Sequence, residues 1–472
     1  MSLKHFCGLF GVYNSARAGS QTYLGLYGLQ HRGQESTGIV TSDGSCFHSR
    51  RCQGLVRECF EDEDLAQLKG RHAIGHNRYS TTGSARVSNV QPLMVDLKGS
   101  PLAIAHNGNL VNALELRGAM EKDGSIFQST TDSEVFVHLM ARSRRTSLRE
   151  MMEYATGQVK GAYCLLLLTL DSLAAVRDPN GFRPLCMGRL GDSVIFSSEA
   201  CGLDIVGARY EREIAPGEMV IVDAEGIRSE KLMPARRLSM CIFELIYFSR
   251  PDSVVFGRSV DTVRRKLGRE LAREHPTPGA DCVFSVPDSS NAMALGFSEV
   301  SGVKLEHGLI RNHYIGRTFI QPSHSGRTSK VKIKFNPVRD VIKGKEVVVV
   351  DDSLVRGTTS RLLMHMIRQA GARAIHLRLA SPPITGPCLY GIDTPTRAEL
   401  AASTSSLEEI RRQVGVDTLG YLSLDGTLRA AGGDPEAFCH ACFSGQYPTA
   451  LPASLRIGDQ ARTEVPLEAP TP

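Results

Sequence analysis

The stretch Lys345-Glu346-Val347-Val348-Val349-Val350-Asp351-Asp352-Ser353-Leu354-Val355-Arg356-Gly357-Thr358-Thr359-Ser360 leaves the chain few ways to fold around it. Four consecutive valines make a strand that is apolar on both faces, as in a parallel sheet covered by helices on both sides. The strand delivers two adjacent carboxylates to its C-terminal end, the edge where open α/β sheets bind ligands. A loop with Gly357 and the hydroxyls of Thr358, Thr359 and Ser360 then enters a helix. The first N–H groups of that helix, with the dipole behind them, suit a phosphate. Paired carboxylates suit the two hydroxyls of a ribose and a hydrated Mg²⁺ ion. An ordinary βα turn with an Asp cap is the plain alternative, and it leaves the Asp pair plus Gly-Thr-Thr-Ser unexplained.

The surrounding rhythm agrees. Asp281–Val286 is a second apolar run of strand length, Arg361–Ala370 reads as a helix stopped by Gly371, and Ala374–Ala380 follows as another strand. Alternation of this kind predicts an α/β domain with a parallel sheet. Residues 7 to about 230 differ: short β-type runs (Cys7–Tyr13, Pro101–Ala105, Ala162–Leu168, Ser193–Ser197, Met219–Val222) are separated by Gly, Asn, Asp and Pro turns. Two stretches there, Ser20–Gln30 and Asp132–Ala141, read as helices, so this half is expected to be a layered α+β domain. The basic passage Lys231–Arg237 is the candidate boundary. The expected division is 1–6 leader, 7–235 first domain, 236–447 second domain, and a disordered Ala/Pro/charged tail over 448–472.

Composition narrows the function classes. A net charge of +5 over 472 residues does not suit a nucleic-acid binder, but it suits an enzyme with a polyphosphorylated substrate. Basic residues gather locally, at Arg327, Lys330, Lys332, Lys334 and Arg339. No apolar run reaches the ~18 residues that span a bilayer; the longest, Ala162–Val176, is broken by Thr169 and Asp171. Met1–Phe6 is too short for a secretory signal. The 12 cysteines are irregularly spaced, which argues for a reduced, cytoplasmic chain rather than a disulfide framework.

Cys7 opens Cys-Gly-Leu-Phe-Gly-Val. Left inside the chain it reads as a small buried hydrophobe. If the Phe6–Cys7 bond is cut, the new α-amine, with a reference pKa near ~8, can act as base for its own thiol. Four polar constellations share the domain: His31-Arg32-Gly33-Gln34-Glu35-Ser36, Gly75-His76-Asn77-Arg78-Tyr79-Ser80-Thr81-Thr82-Gly83, Ala105-His106-Asn107-Gly108-Asn109-Leu110, and Thr131-Asp132-Ser133-Glu134. An amide substrate with an amino-acid head needs a cation for its carboxylate, an anion for its ammonium and donors for the oxyanion. Arg78, Asp132 and the Asn107/Gly108 pair supply these; a surface ion pair, a helix N-cap and an Asn-Gly turn are their plain readings. In this order the motifs resemble the class II, N-terminal-nucleophile (Ntn) glutamine amidotransferases. The resemblance implies Cys7 as nucleophile and base, Asn107 and Gly108 as oxyanion hole, Arg78 and Asp132 as glutamine clamp, and Met1–Phe6 as a removed propeptide.

The second half resembles the type I phosphoribosyltransferases, which implies that Asp351 and Asp352 hold ribose and metal. Ser353 and Arg356, Gly357, Thr358, Thr359 and Ser360 then belong to the phosphoribosyl pyrophosphate (PRPP) site, the last five cradling the 5′-phosphate. Val286-Pro287-Asp288-Ser289-Ser290 resembles that family's second loop, with Ser289 near the Mg²⁺ ion. Ser290 stands where Gly is usual; a left-handed backbone there costs a serine about 1 kcal/mol. Asn312–Pro337 resembles the loop that closes over the substrate.

Cys439-x-x-Cys442 alone is a weak signal; with Cys241 and Cys388 it makes four thiolates, which suit zinc or a 4Fe–4S cluster equally. Both halves together, from Cys7 to about Cys442, resemble the amidophosphoribosyltransferases, and the cysteine contexts resemble their oxygen-sensitive branch. What the resemblance implies is a pentosyltransferase that moves ammonia from glutamine to PRPP at the start of purine synthesis. One Mg²⁺ per subunit, a structural 4Fe–4S cluster on Cys241, Cys388, Cys439 and Cys442, a homotetramer and inhibition by purine nucleotides come with it. Asparagine synthetase would need a Ser-Gly-Gly-type ATP loop, a sugar-phosphate aminating enzyme an isomerase half, and a PRPP-binding regulator a DNA-reading helix-turn-helix; none is found in the sequence.

Overall fold

The computed structural model describes residues 7–78, 87–312, 333–392 and 396–452. Met1–Phe6, Tyr79–Gly83, most of the closing-loop candidate and the end of the tail lie outside the described residues.

Two antiparallel sheets face each other in the first half. One has seven strands with Gly8–Tyr13 and His72–Arg78 side by side at its middle; the other has six, with Ser100–Leu110 and Gly161–Leu168 adjacent. Leu9, Ile74, Ala103, Ala105, Leu166 and Phe196 fill the space between them. The helix Ala18–Gly28 covers the outer face of the first sheet, where Phe10, Val12, Leu26 and Ile39 pack together. Ser133–Arg142 and Leu148–Gln158 cover the second, over Ile104, Leu165 and Leu167. The result is a helix–sheet–sheet–helix sandwich. Gly161–Leu168 is buried along its whole length because helices cover one face and the first sheet the other. At Thr169 the chain turns, its N–H bonding Ser172 O at 3.0 Å, and returns as the antiparallel strand Leu173–Arg177.

The second half carries a four-stranded parallel sheet in the order Cys282–Ser285, Glu346–Asp351, Ala374–Leu379, Thr418–Tyr421. Val348 and Val350 point into a core shared with the helices Val260–Glu274 and Asn291–Ser301. Val347 and Val349 point to the other side, against Thr358–Gln369 and Leu407–Val414. The valine run is therefore buried on both faces, as a parallel strand between helix layers requires. One cysteine pair departs from the reading of a wholly reduced chain: Cys52 and Cys59 form a disulfide between the strand Phe47–Gln53 and the short helix Val56–Cys59. Among the described residues no helix is long and apolar enough to cross a membrane.

Candidate active site

Cys7 directly precedes the central strand Gly8–Tyr13, whose Gly8 pairs with Asn77; the register sets Cys7 beside the end of the strand that carries Arg78. Arg78 is buried. His76 reaches across to the opposite sheet, its Nε2 3.0 Å from the His106 carbonyl, and so ties the two sheets together just before Arg78 and Asn107. Asn107 lies in mid-strand with its side chain fully buried, and neither its amide oxygen nor its amide nitrogen has a hydrogen-bond partner. A buried, unsatisfied amide costs about 1–3 kcal/mol, so its persistence points to a ligand that completes it. Gly108 has φ +152°, and a Cβ there would stand 2.0 Å from the Ala162 carbonyl oxygen. Only glycine fits, and the plain reading of Asn107-Gly108 as a turn is replaced by a strand.

Asp132 braces that strand. Its Oδ2 accepts the Leu110 N–H at 2.9 Å and its Oδ1 lies 3.6 Å from His106 Nδ1. Burial pushes its carboxyl up, but His106 and the backbone donors outweigh this and hold it below the usual carboxylate range. Asp132 precedes the helix Ser133–Arg142, yet its side chain makes no capping bond. Glu134, in the first turn, accepts the N–H groups of Gln128 and Ser129 at 2.8 and 2.7 Å and so ties the preceding loop to the helix.

In the second half, Asp351 and Asp352 are buried at the end of the strand Glu346–Asp351. Ser289 Oγ donates to Asp352 Oδ2, Ser353 Oγ to Asp352 Oδ1 at 2.6 Å, and Ser290 Oγ to Asp351 Oδ1 at 3.4 Å. Burial raises both carboxyls above their ordinary range, and Asp352 raises Asp351 further. Ser290 has φ −93°, so the position does not need glycine and the serine carries no left-handed strain. Gly357, at φ +72°, turns the chain into the helix Thr358–Gln369, and Arg356 is held by Glu399 at 2.8 Å.

Comparisons with known proteins decide the family. A family model described as a glutamine amidotransferase domain matches residues 76–204. The amidophosphoribosyltransferase of Bacillus subtilis is 47% identical over 454 residues, covering 95% of each chain. Amidophosphoribosyltransferase 1, chloroplastic, of Arabidopsis thaliana is 48% identical, covering 96% of this chain and 80% of the relative. The chain belongs to the amidophosphoribosyltransferase family. Its reaction is the transfer of ammonia from glutamine to PRPP, the first step of purine biosynthesis. A solved structure described as the allosteric regulatory enzyme of purine biosynthesis superposes with TM-score 0.90 at 47% identity, over 95% of this chain and 97% of that one. The B. subtilis glutamine PRPP amidotransferase complexed with ADP and GMP gives the same TM-score over 95% and 98%. The two halves are thus an Ntn amidotransferase domain and a type I phosphoribosyltransferase domain.

In this amidophosphoribosyltransferase the four cysteines come from distant places. Met240–Cys241 and Phe438–Cys439 form a small parallel ladder with Cys241 opposite Cys439. Cys442 and Cys388 lie close enough that each affects the others' charge. Burial pushes the Cys241 thiol up to about 11 and raises those of Cys439 and Cys442 as well.

Sequence reasoning did not single out a buried ionic cluster between the two domains. Arg32, inside His-Arg-Gly-Gln-Glu, donates through Nε to the Cys7 carbonyl at 3.3 Å. It also bonds Glu199, and it bonds Glu244 at 2.8 and 3.1 Å. Burial works against the Arg32 charge, and the two carboxylates more than restore it. Arg183 joins Glu244 at 3.3 Å and donates to the Tyr390 carbonyl at 2.6 Å.

Proposed function

We propose that the glutamine half-reaction runs on Cys7 after scission of the Phe6–Cys7 bond, with the new α-amine as base for the thiol. Thiolate attack on the glutamine carboxamide makes a tetrahedral oxyanion, which the Asn107 side-chain amide and the Gly108 N–H stabilise. Arg78 takes the substrate carboxylate and Asp132 its ammonium group. The observation that carries this reading is the buried, unpartnered Asn107 amide beside a glycine that nothing larger can replace. Arg32, bonded to the Cys7 carbonyl, steadies the nucleophile.

Ammonia then passes within the molecule to the second site. There Asp351 and Asp352 receive the ribose hydroxyls, Arg356 to Ser360 receive the 5′-phosphate, and Ser353 supports Asp352. Two buried carboxylates, each raised by burial, suit one Mg²⁺ ion per subunit, with Ser289 beside it. When bound, Mg²⁺ supplies charge for the departing pyrophosphate. Cys241, Cys388, Cys439 and Cys442, brought together from distant places in the chain, suit a 4Fe–4S cluster; when bound, it supplies a cross-link of the Cys439–Cys442 segment to the domain boundary. The domains run over 7–235 and 236–447, and the enzyme works in the cytoplasm as a homotetramer. The B. subtilis relative binds ADP and GMP, which supports inhibition of this enzyme by purine nucleotides.

The test is N-terminal sequencing with parallel assays on glutamine and on ammonia. A mature chain starting at Cys7, and a Cys7→Ala variant that loses glutamine use while keeping ammonia use, is the expected result. A chain that keeps residues before Cys7 and is fully active with glutamine would overturn the nucleophile assignment.

A further inference from the structure

The hairpin joining Ser36–Ser42 to Phe47–Gln53 ends in Asp43-Gly44-Ser45-Cys46, none of which is assigned above to either half-reaction. At its tip Asp43 Oδ2, Cys46 Sγ and His48 Nε2 come together, all within 4.8 Å of one another. The thiol lies 3.7 Å from the imidazole nitrogen and 3.7 Å from the carboxylate oxygen, and nitrogen and oxygen are 2.8 Å apart. From these three donors we infer a surface site for a zinc-class divalent ion, independent of both half-reactions.

The donor set selects the metal class. Thiolate and imidazole favour zinc and its neighbours, whereas magnesium and calcium take oxygen ligands almost alone. With metal–ligand distances of ~2.0–2.3 Å, a tetrahedral zinc holds S, N and O donors about 3.3–3.6 Å apart. The two sulfur separations already lie near that figure. The imidazole–carboxylate pair has to open by about half an ångström as the metal takes the place of the shared proton. The Cys46 thiol proton goes to solvent, and His48 keeps its remaining proton on Nδ1.

The turn holds one oxygen of Asp43 and leaves the other directed at Cys46 and His48. Oδ1 accepts Ser45 N–H at 2.8 Å, Ser45 Oγ at 2.7 Å and Cys46 N–H at 2.9 Å. Those bonds fix the carboxylate, as supporting hydrogen bonds do for metal ligands, and with His48 they hold it ionised, well below the usual range. Oδ2 is left to face the thiol and the imidazole. Cys46 and His48 sit two residues apart on one strand end, so they share a face, and the strand is held by seven register pairs to its partner. Asp43 and Cys46 are exposed, which leaves solvent water able to complete the coordination.

The experiment titrates the full holoenzyme, Cys46→Ser and His48→Ala with Co²⁺, a spectroscopic stand-in for Zn²⁺. The wild type is expected to bind one equivalent more than either variant, with a thiolate-to-metal absorption band that Cys46→Ser lacks. Glutamine-dependent activity should be the same in all three proteins, which also shows that the variants fold. Equal stoichiometry in the three proteins, or an extra equivalent with no thiolate band, overturns the proposal.

Discussion

Asn107 is the side chain on which the proposed glutamine chemistry turns. Its amide is buried without a partner in the resting protein, so it donates without first breaking a bond of its own. Asn107→Ala is expected to lower glutamine-dependent kcat about 10²–10³-fold and to leave ammonia-dependent turnover unchanged; comparing the two nitrogen donors in steady-state assays checks this. His76, two residues before Arg78, sets a different dependence. Burial, opposed by the His106 carbonyl and aided by Arg78, lowers its pKa to about 3. Below about pH 6.5 the unfolded chain protonates this imidazole while the folded chain keeps it neutral. Stability is therefore lost as pH falls from about 6.5 toward 3, by up to about 1.4 kcal/mol per pH unit from this group. Denaturant titrations of His76→Gln across that range should show a shallower slope than the wild type; an unchanged slope would refute the assignment.

At the level of elements, Glu244 begins a π-helical turn, Glu244–Phe248, and joins pieces of both domains. It accepts bonds from Arg32, Arg183 and Ser249 in a fully buried setting. Glu244→Gln leaves two buried guanidinium groups short of an anion, so the unfolding midpoint should drop by an amount equivalent to about 3–5 kcal/mol. A thermal scan with an unmoved midpoint would show that the cluster does not hold the domains together. Such clusters are hard to read from sequence. Arg32 was visible as part of a polar motif, but its partners Glu199 and Glu244 lie 167 and 212 positions away, and no spacing rule links them. What was legible is local: the valine run before Asp351-Asp352 forced a parallel strand, and the helix Thr358–Gln369 begins three residues before the Arg361 expected from apolar pattern, because Gly357 starts it. The Asp132 side chain does not cap its helix because its carboxylate is turned to the Leu110 N–H and to His106, partners that no local spacing shows. The Cys52–Cys59 disulfide was missed since a pair seven residues apart has no signature among 12 scattered cysteines.

Across the whole molecule, the second domain packs against the Gly108 backbone, behind the proposed glutamine site. Gly391 has φ +109°, and a Cβ on it would stand 3.1 Å from the Gly108 carbonyl carbon. Asn109 donates to the Leu389 carbonyl at 2.9 Å in the same segment, which Cys388 begins. Gly391→Ala is expected to cut glutamine-dependent activity several-fold by shifting the Gly108 backbone, with ammonia-dependent activity retained; equal loss of both would place the effect in general stability instead. The small ladder that sets Cys241 against Cys439 bears on how the chain is made. On the ribosome the first sandwich has all of its strands once residue 231 has emerged, and N-terminal domains generally fold first during synthesis. Residue 241 follows at once, but its strand partner, Cys439, is translated much later. Until then Cys241 has its bond to the Phe182 carbonyl but no ladder partner, so the seam begun at residue 241 closes only once residue 439 has been made.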